Sequence, residues 1–198
     1  MLKPLAFALA LSGLSVLSGC VAPVGPVEVT RFHLPDTAAL GHGTITVEPA
    51  PGVDGNSLEF RSYAAAVARQ LTLVGYSEMA AGQSNQVAIV GFQRVSYQPG
   101  RDGSPVSVGV GGSTGSYGSG VGVGIGLNLS GPPPEQVETR LSVSIKNRQS
   151  GKALWEGRAS FTVKASSPLA NSQLGAAKMT EALFKDFPGT SGETIQVK

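Results

Sequence analysis

Apolar and polar residues alternate along the second half of the chain with a period of two. Val137, Thr139, Leu141, Val143 and Ile145 fall on one side, with Glu138, Arg140, Ser142, Ser144 and Lys146 on the other. That pattern predicts a strand over residues 136–149 with one face covered and one in water. Ser150-Gly151 then signals a turn. Ala153, Trp155, Ala159, Phe161 and Val163 share one side of the following segment, so the two strands form a long antiparallel hairpin. Shorter strands are predicted at 27–33, 43–49 and 193–197. Residues 86–97 hold a nearly continuous apolar run, Val87-Ala88-Ile89-Val90 with Phe92, which predicts a central strand buried on both faces.

Two segments switch to helical spacing. Leu58, Tyr63, Val67, Leu71 and Val74 recur at three- and four-residue intervals, and Gly75 supplies a stop. Asn56 followed by Glu59 reads as an approximate capping box. From Pro168 to Phe187, Leu174, Ala177, Leu183, Phe184 and Phe187 can face a sheet, while Lys178, Glu181 and Lys185 face water. Pro188-Gly189 ends that helix. The expected fold class is α+β: a two-layer sandwich of a mostly antiparallel five- to six-stranded sheet with two helices packed on one face. Strands and helices do not alternate regularly enough for a doubly wound order.

One stretch fits neither helix nor ordinary strand. Residues 103–131 contain eleven glycines. In an extended chain Val121, Val123, Ile125, Leu127 and Leu129 share one face, and the opposite positions are Gly and Asn. Val106, Val108 and Val110 repeat the arrangement. Three readings stay open. The segment is a mobile low-complexity loop, or a hairpin that prolongs the strands at 86–97 and 136–149 with its apolar face resting on the domain, a partner or a membrane, or a surface for self-association. These five aliphatics are the candidate interaction surface.

The N-terminus changes the picture most. Lys3 precedes an apolar run from Leu5 to Leu17, too short for a spanning helix, and Leu17-Ser18-Gly19-Cys20 follows. Cys20 is the only cysteine of the chain. The tetrapeptide resembles a bacterial lipobox, in which Cys20 becomes the lipidated first residue. The expected organisation is a signal peptide at 1–19, a lipidated N-terminus and tether at 20–28, and one α+β domain at 29–198. Pro23, Gly25 and Pro26 suit an extended tether. Val21, rather than Asp, follows the cysteine. That choice favours the outer membrane, facing the periplasm. Several acyl chains together give an effectively permanent anchor.

Composition then excludes classes of function. Without Lys3 the 15 basic residues fall by one against 13 acidic ones, so the mature chain is near neutral and lacks a nucleic-acid footprint. A lipidated Cys20 leaves no thiol for a disulfide. His33 and His42 stand without a carboxylate cluster, so no metal and no cofactor is expected. Gly111-Gly112-Ser113-Thr114-Gly115 matches G-x-S-x-G, but its flanks are glycine-rich and not helical, which marks a chance match. No nucleophile, base and orienting acid converge in the sequence, and no enzyme is expected.

The assembled pieces resemble the DUF4136 family of Gram-negative lipoproteins, whose function is undefined. The resemblance rests on the lipobox, on Leu58-Glu59-Phe60-Arg61-Ser62-Tyr63 and Leu73-Val74-Gly75-Tyr76, on Gly151 to Ala159 around Trp155, and on Leu183-Phe184-Lys185-Asp186-Phe187-Pro188-Gly189. The Asp-rich character of the family's apolar strand is missing from Gln86-Val87-Ala88-Ile89-Val90, and the glycine-rich segment is additional. The resemblance implies an envelope lipoprotein with an α/β domain and carries over no catalytic residue. The function expected is that of a lipid-anchored, non-enzymatic protein that binds an envelope protein or supports envelope assembly. The alternative is a small-molecule or lipid-binding module with Trp155 or Tyr63 lining a pocket.

Overall fold

The computed structural model describes residues 24–100, 106–115, 118–127 and 131–198, the two middle stretches by their backbone alone. Seven strands form one mixed, mostly antiparallel sheet: β1 (Val27–His33), β2 (Thr44–Pro49), β3 (Ser77–Glu78), β4 (Gln86–Tyr97), β7 (Gln136–Asn147), β8 (Ala153–Lys164) and β9 (Thr194–Val197). Their order is β3-β2-β4-β7-β8-β1-β9. β2 pairs in parallel with β3 and β4, and every other pair in this sheet is antiparallel. β5 (Val106–Gly115) and β6 (Gly118–Leu127) pair with each other in a separate two-stranded sheet. Among the described residues two α-helices pack with the sheet, α1 (Leu58–Leu73) and α2 (Ser172–Phe184).

The main sheet has seven strands where the sequence pattern gives five or six. The extra strand, β3, is two residues long, too short to show any alternation. β1 opens at Val27, whose backbone pairs with Val197, so the last two residues of the expected tether already belong to the sheet. β4 is covered on both sides only at its start. From Gln93 to Tyr97 it is exposed, which corrects the expectation of a strand buried throughout.

α1 starts one residue later than the capping-box reading places it. Ser57 is the N-cap, and its Oγ accepts from the Phe60 amide at 3.1 Å. Asn56 is held in the preceding turn, its amide donating to Asp54 Oδ1. Glu59 reaches Arg94 on β4 instead of closing a box. This shift also turns the helix. Leu58 is 77% exposed, and Phe60, Tyr63, Ala66, Val67 and Leu71 form the buried face. Gly75 ends the helix as expected, with φ of 108°, a conformation glycine adopts without a Cβ clash.

α2 is shorter than the pattern over 168–187. Pro168–Ala170 forms a 3-10 turn, and Asn171 caps the helix by accepting from the Gln173 amide. Leu174 is 51% exposed, while Ala176 and Met179 are fully buried beside Leu183 and Phe184. α1 and α2 pack on each other, α1 also against β2 and β4, and α2 against β8 and β1. Tyr63 of α1 stacks on Phe92 of β4 with ring centroids 4.5 Å apart. The core lies between these helices and the face that carries Val29, Val90, Leu141, Val143, Ile145 and Trp155.

Candidate functional site

The residues that the alternating pattern cannot accommodate lead to the first cluster. In β1, Val27 and Val29 point to the core, and Arg31 occupies the next core position. A guanidinium there must find acceptors. Arg31 Nε donates to Leu183 O at 2.9 Å and Nη2 to Ala182 O at 3.0 Å, the free carbonyls at the end of α2. A cation suits the negative end of a helix. Burial pulls the Arg31 pKa down, and the charges of Asp186 and Glu193 oppose that pull. Trp155 sits beside it, stacked on Phe184 and tilted against Phe187, each at 5.3 Å. Its Nε1 donates to Pro188 O at 2.9 Å. Gly157 lies beneath the indole, where a Cβ would collide with the Trp155 ring and come within 2.8 Å of Leu183. The cluster therefore locks the C-terminal segment onto β1 and β8.

The opposite face of the sheet is open. The register aligns Thr30, Arg158, Ser142 and Gly91 in one row and Glu28, Ser160, Arg140 and Gln93 in the next. These rows line a depression of about 540 Å³, with Ala50, Pro51 and Val53 from the loop after β2 along one side. Arg140 Nε bonds Glu138 Oε1 at 2.7 Å, an exposed pair that contributes little stability. Arg158 is exposed and presents its charge to the same depression. This surface can hold a carboxylate or another polar group.

Among the sequence-predicted surface residues, Val121, Val123, Ile125 and Leu127 lie on β6, and Leu129 lies outside the described residues. β5 and β6 are paired in register without a bulge, Val106 opposite Leu127, Val108 opposite Ile125 and Val110 opposite Val123. Alternation thus puts every aliphatic residue of both strands on one face. The other face carries Ser107, Gly109, Gly111, Ser113 and Gly115 paired with Gly126, Gly124, Gly122, Gly120 and Gly118. Cys20, the expected lipidation site, lies outside the described residues.

The His33 ring lies 2.7 Å from Leu34 O and 3.2 Å from Gly189 O, and no group of three metal-ligating side chains occurs among the described residues. The G-x-S-x-G match at Gly111–Gly115 lies wholly within β5 and is followed by β6, not by a helix. Tyr63 and Trp155, proposed from sequence as pocket walls, are each 1% exposed and packed on other rings. Periodicity alone assigns no role to Arg31 or Gly157. The signal for Arg31 was available, because a lone charge in register with Val27 and Val29 demands a buried acceptor.

An uncharacterized protein of Zymomonas mobilis is 29% identical over 215 aligned positions, covering 87% of this chain and 80% of that one. A PDZ domain protein from Parabacteroides distasonis aligns at 10% identity with a TM-score of 0.47, covering 87% of this chain and 39% of its own length. The PelC dodecamer from Paraburkholderia phytofirmans aligns at 10% identity with a TM-score of 0.41, covering 79% of this chain and 93% of the PelC chain. Structural likeness at these scores assigns no activity. The family model of DUF4136, a domain of unknown function, matches residues 32–189, from Phe32 through the aromatic lock to Gly189, and the chain belongs to that family.

Proposed function

We propose that this chain is a periplasmic lipoprotein anchored in the outer membrane, without enzymatic activity, that binds an envelope protein or supports envelope assembly. The observation that carries the reading is Cys20 placed directly after Leu17-Ser18-Gly19 at the end of a short apolar stretch. Residues 1–19 act as the signal, 20–26 hold the lipid and tether, and the rest, from the first residue of β1, is one domain with a glycine-rich insert at about 103–131. That domain is a two-layer sandwich with both helices on one face, which leaves the other face free for a partner. The depression lined by Arg140 and Arg158 is the part of that face suited to an acidic segment of such a partner.

The test uses the whole protein in its own envelope. Cys20→Ala should abolish labelling with radioactive palmitate and leave residues 1–19 uncleaved. A photo-cross-linker at Gln93 should capture a discrete partner band, lost in the Arg140→Glu, Arg158→Glu double variant. Persistent palmitate labelling of Cys20→Ala, or an unchanged band in the double variant, contradicts the reading. A small-molecule ligand is the alternative. It would bind in this same polar depression, since Tyr63 and Trp155 are consumed by core packing.

A further inference from the structure

We propose that the β5–β6 hairpin crosses a lipid bilayer, and that several copies of the chain join their hairpins edge to edge into one closed barrel. The first observation is length. Each strand has 10 residues, and a membrane-spanning strand needs about 9–11. The second is register. The pairing gathers Val106, Val108, Val110, Val123, Ile125 and Leu127 on one face. A strand that spans a bilayer alternates in this way, apolar toward lipid and small or polar toward the lumen. The third is charge. Residues 106–127 contain no Asp, Glu, Lys or Arg. β7 and β8 alternate equally well, but their solvent side carries Glu138, Arg140, Lys146, Glu156, Arg158 and Lys164. The hairpin's second face offers water only glycine and serine.

The edges supply the partner. Among the described residues β5 and β6 pair only with each other, so each has one unpaired backbone edge. An open edge in hydrocarbon leaves amides and carbonyls without partners, and only closure removes that cost. Each chain contributes two strands, so the smallest usual barrel, of about eight strands, takes about four copies. Glycine and serine, with little or no side chain, leave that lumen open. Val95 and Tyr97 lie at the end of β4, the strand that precedes the segment in the chain, and are 57% and 41% exposed. An exposed tyrosine there suits the membrane–water boundary. No helix among the described residues is long and apolar enough to cross a membrane, so the strands are the spanning elements this inference invokes.

The inference takes from the lipid-anchor reading only the membrane at which the hairpin acts, and the test separates the two. Lipidated full-length protein is reconstituted into calcein-loaded vesicles of phosphatidylethanolamine and phosphatidylglycerol. The intact chain should release dye and yield cross-linked oligomers of about four or more copies. Val123→Asp and Ile125→Asp should each reduce release about tenfold or more, because they put charge on the lipid face, whereas Ser107→Asp on the lumen face should retain it. Circular dichroism melts matching the parent exclude misfolding of the domain. Vesicle-bound protein that stays monomeric and retains dye overturns the inference, as does equal release from all three variants. Palmitate labelling of Cys20 is scored separately, so failure of the anchor with face-specific release by added protein leaves the barrel standing.

Discussion

The β7–β8 pair and the β5–β6 pair obey the same period of two, yet they solve the problem of their apolar face in opposite ways. In β7–β8 that face lies under α1 and α2, with Val143 and Trp155 each 1% exposed. The other face is studded with charges that hold water. In β5–β6 the aliphatic face has glycine and serine behind it, and the strands make their extended contacts with each other. Alternation alone therefore does not identify the environment. What stands on the second face does: charged side chains argue for solvent, and bare glycine and serine argue for a confined lumen.

Matched charges on the two pairs test that contrast. Val143→Asp puts a carboxylate into the core with no partner and should cost about 4 kcal/mol or more, abolishing the cooperative melt. Val123→Asp occupies the equivalent apolar register in the hairpin and should leave domain stability within about 0.5 kcal/mol. Similar losses from both in thermal melts would erase the distinction between the two pairs.

The aromatic lock comes next. Trp155→Ala removes the stacking on Phe184 and Phe187 and the bond to Pro188 and should destabilise by about 3–5 kcal/mol, read by urea unfolding. Arg31→Met keeps much of the volume but deserts the carbonyls of Ala182 and Leu183, a loss of about 2 kcal/mol. Neither change should alter vesicle release at a temperature where the variant is still folded. Ser57→Ala removes the cap of α1 and should cost about 1 kcal/mol.

The smallest effect is that of pH. Burial pushes the Tyr63 phenol above its ordinary 10.0, with Arg94 opposing the shift, and burial does the same for Tyr76. A raised pKa in the folded state means the fold favours the protonated form. The stabilisation is complete below about pH 10 and is lost as pH rises through the folded values. The melting temperature should therefore fall once pH is raised past 10.0, and the fall should shrink in Tyr63→Phe.

The strands and helices that meet the core were legible because their periodicity is long and clean. β7, β8 and β4 follow the expected spans to within two residues. Three features were not. β3 is two residues held by backbone bonds to β2, so it leaves no pattern. The rotation of α1 depends on whether Ser57 or Asn56 caps it, and both residues are good caps. Leu58 and Leu174 look like core residues by type but stand beyond the reach of the sheet. In the candidate site, the aliphatic face of β6 was visible in the sequence, while its partner β5 in matching register was not, because glycine-rich strands specify register weakly.

The central claim is that the aliphatic side of β6 meets lipid and the glycine side does not. Single cysteines at Val121, Gly122, Val123, Gly124, Ile125 and Gly126, each labelled with an environment-sensitive fluorophore, measure it directly in vesicles. The account predicts an alternating profile. Labels at 121, 123 and 125 should be quenched by lipid-borne quencher and shielded from iodide, and those at 122, 124 and 126 should show the reverse. A flat profile, with every position equally open to iodide, would contradict it.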